Sequence, residues 1–116
     1  MKTDYIVVLT TYPTKELAQE VSESLVKKKL AACINIVSNV TSVYYWGDKL
    51  ESDTECQLII KTKRDLFERI SQEISAHHPY DLPEIIAIKL ENGLPDYLRW
   101  IDQQTQRFSG SENEQD

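Results

Sequence analysis

The densest group of chemically capable side chains is His77-His78-Pro79-Tyr80 with Glu84 close behind. Imidazole and carboxylate both ligate first-row divalent ions, and Pro79 stiffens the backbone between them. Neighbouring histidines do not share a helix face. One ion held by both needs irregular backbone, or a further ligand such as Cys33 or a residue of another chain. His77 and His78 are therefore read in two ways, as ligands for a first-row divalent ion or as structural and surface residues. Cys33 lies between Ala32 and Ile34. Such small and apolar neighbours suit an inert thiol, against the alternative of a nucleophile with His78 as its base. Tyr44, Tyr45 and Trp46 could stack bases or anchor an interface. The chain's acidity favours the anchors. Lys61 closes an apolar run, as a strand-end snorkel or an anion contact. Glycine occurs only at 47, 93 and 110, so no phosphate-cradling loop can form, and no paired-cysteine zinc spacing exists.

Elements must hold these groups in place, and 116 residues allow one core. Hydrophobic residues make up 41% and charged residues 28%, the proportions of a globular domain. Nineteen Asp and Glu against thirteen Lys and Arg give a net charge of −6, which repels nucleic acid and anionic lipid. No apolar segment reaches the ~18 residues of a bilayer span. The N-terminus has no secretion-signal pattern, and two cysteines make at most one bridge. The expectation is a cytoplasmic protein with reduced thiols, no nucleic-acid partner and no membrane contact.

Tyr5-Ile6-Val7-Val8-Leu9 is apolar on both faces and predicts a central strand. Thr14 is an N-cap for a helix with Leu17, Val21 and Leu25 inward and Lys27-Lys28-Lys29 at its wet end. Ala32 to Trp46 reads as one long strand with a bend or bulge at Ser38-Asn39. Gly47-Asp48-Lys49 reads as a turn and Thr54 to Lys61 as the returning strand. Thr62 and Asp65 form a capping-box-like start to a second helix ending near His77-His78-Pro79. Glu84 to Leu90 supplies a fourth strand, Asn92-Gly93 a turn, and Pro95 the first residue of a third helix. Residues 1–108 form one domain, and 109–116 form an acidic tail expected to be disordered. The order βαββαβ plus a helix is α+β, a ferredoxin-like antiparallel sheet with two helices on one face. Its other face then needs the last helix, another subunit or a ligand, and the overlong hairpin needs something to pack on. RNA-recognition domains share this order but display sheet aromatics and basic residues, which Ile6-Val7-Val8 and Leu58-Ile59-Ile60 lack.

Ala31-Ala32-Cys33-Ile34-Asn35, Tyr44-Tyr45-Trp46-Gly47, Leu58-Ile59-Ile60-Lys61-Thr62, His78-Pro79-Tyr80, Pro83-Glu84-Ile85 and Tyr97-Leu98-Arg99-Trp100 follow one another in order. In this the chain resembles the CutA family of divalent-cation tolerance proteins, from about Ile6 to Trp100. The resemblance implies a homotrimer with clefts near its interfaces and association with copper and other divalent ions, and the expectation is a protein that is not an enzyme. It carries Cys33, Trp46, Lys61, His78, Tyr80, Glu84, Tyr97 and Trp100 over as cleft linings, and His77 and His78 as weak metal ligands. Some members also use a cysteine at the end of the first strand, where this chain has Leu9-Thr10-Thr11. The alternative reading is a small-ligand signalling trimer of the PII type.

Overall fold

Tyr5–Tyr12 forms strand β1, at the centre of the sheet as its two-sided apolar pattern demands. It is followed by helix α1 (Lys15–Lys27), the long strands β2 (Cys33–Trp46) and β3 (Lys49–Lys63), a 3-10 turn at Arg64–Leu66, α2 (Phe67–His77), β4 (Ile86–Lys89) and α3 (Pro95–Gln104). The structure is a computed structural model and describes residues 4–107, so the expected acidic tail lies outside the described residues. The sheet order is β2-β3-β1-β4 with every pairing antiparallel, the ferredoxin-like arrangement expected from the element order.

Register assigns the faces. Ile6, Val8 and Thr10 pair with Thr62, Ile60 and Leu58, and this side is the buried one. Ala18 and Leu25 of α1, Leu66, and Ile70 and Ile74 of α2 close over it in one core. Each large side chain fully buried there contributes ~1.5–3 kcal/mol relative to exposure. The opposite face carries Val7, Leu9, Ile59, Lys61, Ile86 and Ile88. α3 packs against β3 on that side, with Ile101 buried and Lys63 paired to Asp102 at 3.1 Å. Gln106 ties the end of α3 to the α1–β2 turn through the Lys29 and Lys28 carbonyls, so α3 covers only the Cys33–Lys63 end. Ile86 and Ile88 remain 50% and 52% exposed.

Several local expectations hold. The Thr14 hydroxyl accepts from the Leu17 N–H at 3.2 Å, and Pro95 opens α3. The irregularity in β2 falls between Val37 and Val40, with Asn39 at φ 63°, a conformation asparagine tolerates better than most residues. Others are corrected. Thr62 does not cap α2, because it lies in β3 and its hydroxyl donates to the buried Leu30 carbonyl at 2.6 Å, while α2 starts after the 3-10 turn. β3 begins at Lys49 rather than Thr54, since Gly47 at φ +63° makes a tight turn and Trp46 pairs directly with Lys49. Glu84 and Ile85 precede β4 rather than joining it, and Leu90 lies beyond its end.

Candidate functional site

The extra length of β3 decides what lies on the open face of the hairpin. Past the bulge, Val40, Ser42, Tyr44 and Trp46 sit opposite Glu55, Asp53, Glu51 and Lys49. The segment after α2 crosses the end of β1 and closes a cavity of about 570 Å³ between itself and this hairpin. Trp46, Tyr80 and Glu84 line it, as do Tyr44, Glu55 and Thr11.

Glu55 is the pivot. It is 7% exposed, and its two carboxylate oxygens accept from the Ser42 hydroxyl and the Tyr80 hydroxyl, both at 2.7 Å. The Tyr44 hydroxyl donates to Asp53. This bond, with desolvation and the nearby carboxylates adding to it, pushes the Tyr44 phenol up to about 12. Burial, and then the bond to Glu55, raise Tyr80 well above the ordinary phenol range. Both phenols are donors serving carboxylates.

His78 stands beside this cavity, with its ring 4.3 Å from that of Tyr12 and 4.8 Å from that of Tyr80. Its Nε2–H donates to the Thr11 carbonyl at 2.7 Å, and Nδ1 accepts the Tyr80 N–H at 3.1 Å. Both nitrogens are spent on positioning the loop. His77 is exposed, with Nδ1 3.2 Å from the Glu73 carbonyl one helical turn back. The two imidazoles bond to different partners, and among the described residues no three His, Cys, Asp or Glu side chains form a group able to hold a metal ion. The described residues of a single chain do not fit a chelated metal.

The remaining expected cleft residues gather elsewhere. Cys33 pairs with Lys61 in register, the Lys61 ammonium lies 5.9 Å over the Tyr97 ring, and Tyr97 stacks on Trp100 at 5.5 Å. Lys61 lies six residue steps along β3 from Glu55, about 20 Å along a strand. One chain therefore carries two half-sites, Trp46–Tyr80–Glu84 and Cys33–Lys61–Tyr97–Trp100. Cys33 and Cys56 are free thiols, and Cys33 belongs to the half-site away from His78.

Sequence reasoning missed Glu55, Asp53, Glu51, Ser42 and Thr11. Their signal is the alternation Glu51-Asp53-Glu55, which puts three carboxylates on one strand face. It is visible only once β3 is known to start at Lys49.

The sequence pattern of the CutA1 divalent ion tolerance protein family matches residues 6–104. The chain belongs to this family. It is 44% identical over 100 residues to a protein from Arabidopsis thaliana named "Protein CutA, chloroplastic", covering 86% of this chain and 55% of that protein. It is 39% identical over 99 residues to the "Divalent-cation tolerance protein CutA" of Thermus thermophilus, covering 85% and 96%. The crystal structure of CutA1 from Oryza sativa superposes with a TM-score of 0.88 at 40% identity, covering 90% of this chain and 96% of that one. The chain spans 55–57% of the length of the Arabidopsis, rice and mouse relatives. No helix among the described residues is long and apolar enough to cross a membrane.

Proposed function

We propose that this protein acts in tolerance of divalent cations as a homotrimer, binding a small ligand in clefts built from two chains and having no enzymatic activity. The observation that carries the reading is the separation of the two half-sites, because a cleft using both must draw them from different copies. Other features support it. β2 and β4 are unpaired edges, Ile86 and Ile88 lie exposed on the short β4, and edge strands of this kind are ordinarily paired or covered. Clefts of this kind are also what a PII-type signalling role uses, so that alternative shares the same architecture.

Copper or another divalent cation is contacted weakly, at exposed His77 and not in a chelating centre, since His78 has no free ring nitrogen. Two free thiols suit a reducing, cytoplasmic setting.

The test is sedimentation of the wild type beside Ile88→Glu, with copper titrated into both and into His77→Ala. The reading expects three chains in the wild type, a single chain in Ile88→Glu, and copper binding weakened by His77→Ala. A wild type sedimenting as one chain contradicts the cleft, and unchanged copper binding in His77→Ala contradicts the metal contact.

A further inference from the structure

We propose that the hairpin cavity binds an organic polycation, of the aliphatic polyamine class, with its ammonium groups along the carboxylate row and its methylenes against the aromatic walls. The inference deepens the cleft reading above and rests on it for the second wall of the site.

Charge is the first argument. Glu51, Asp53, Glu55, Asp81 and Glu84 all line the cavity, and no lysine or arginine does. None of the five is in an ion pair among the described residues. Glu55 is only 7% exposed, yet only the neutral hydroxyls of Ser42 and Tyr80 meet it. A buried carboxylate normally has a cation beside it. Lys49 lies two residues past Glu51 at the hairpin tip, outside the lining. Thr11 is the independent sign of a ligand. It is 6% exposed and lines the cavity, and its hydroxyl makes no hydrogen bond among the described residues.

Spacing separates an organic cation from a metal. Alternate residues of a strand lie ~6.6 Å apart. A single Ca²⁺-like ion needs its oxygens within about 2.6 Å of itself, which Glu51, Asp53 and Glu55 cannot all offer. Nitrogens joined by three or four methylenes lie about 5–6 Å apart at ordinary single-bond lengths, a near match to the row. Tyr44, Trp46 and Tyr80 supply faces that attract ammonium and apolar surface for the methylenes. The same charges repel nucleotide phosphates, and the chain's net charge of −6 steers cations inward.

Calorimetric titration of spermidine into the full-length protein tests this, with light scattering on the same samples and butylamine, MgCl₂ and ATP as parallel probes. Saturable spermidine binding, tighter than butylamine and absent for ATP, is expected. It should weaken at least about tenfold in both Glu55→Gln and the less buried double variant Glu51→Gln/Asp81→Asn, at unchanged assembly mass. The proposal is overturned by absent spermidine binding, by equal binding in wild type and double variant, or by equal displacement with MgCl₂ at matched charge. Absent binding in an intact trimer is also the outcome if a cationic side chain of a second copy fills the cavity. A single-chain mass contradicts the cleft reading instead, while the spermidine arm is judged on the single chain by the same criteria.

Discussion

The two ends of the β2–β3 hairpin are built on different terms. At the body end, Leu58 and Ile60 are fully buried beneath α1 and α2. At the tip, Tyr45, Trp46 and Leu50 are 70%, 61% and 64% exposed, although the strands there are paired residue for residue up to Trp46 and Lys49. Backbone pairing continues long after the chain has run out of its own core. Aromatic and aliphatic side chains are kept where none of the described residues covers them, so the body carries the stability of the fold and the arm is shaped for what lies outside it.

The largest effect expected from that contrast is in the body. Ile60→Ala removes a side chain with no exposed surface and should lower stability by ~2–5 kcal/mol, read by denaturant unfolding at fixed protein concentration. At the arm, Trp46→Ala should leave secondary structure intact and weaken association by ~2 kcal/mol, read from the concentration dependence of mass. If Trp46→Ala instead unfolds the chain as Ile60→Ala does, the division between body and arm fails.

Alkaline pH probes the seam between the two regions. Burial pushes the Tyr12 phenol up to about 12, and burial with the Glu55 bond raises Tyr80 too. The folded state thus favours the protonated phenols. Their contribution is fully present below the ordinary value of 10 and is lost as pH rises from there through about 12. Unfolding midpoints should fall across that window, and Tyr80→Phe should remove part of the fall. A midpoint flat to pH 12 would contradict the placement of both rings.

The smallest effect belongs to the α1 surface. Lys28 pairs with Glu73 across the two helices, but both groups are substantially solvated, so Lys28→Ala should cost at most ~1 kcal/mol. A loss near that of Ile60→Ala would mean that the helix surface, and not the core, holds the body together.

The body was the legible part of the sequence, because local signals there agree with tertiary packing. Thr14, Pro95 and the Asn39 irregularity act through their own backbone, and the apolar run at β1 announces the strand at the centre of the sheet. The arm was harder to read. Lys49 to Asp53 is charged and turn-like in composition, and becomes strand only because β2 lies alongside it. Thr62 carries a capping signature but is claimed by the Leu30 carbonyl, 32 residues away. The site divides in the same way. The residue types around Trp46, Tyr80 and Glu84 were visible, whereas the buried Glu55 and the spent nitrogens of His78 depend on contacts 25 and 67 residues apart in sequence.

The most direct measurement of the central claim is the solution mass of the wild-type protein by light scattering, from low micromolar concentration upward. The proposed homotrimer predicts three times the mass of the 13.4 kDa chain, with dissociation moving to higher concentration in Trp46→Ala. A mass of one chain throughout that range would contradict it.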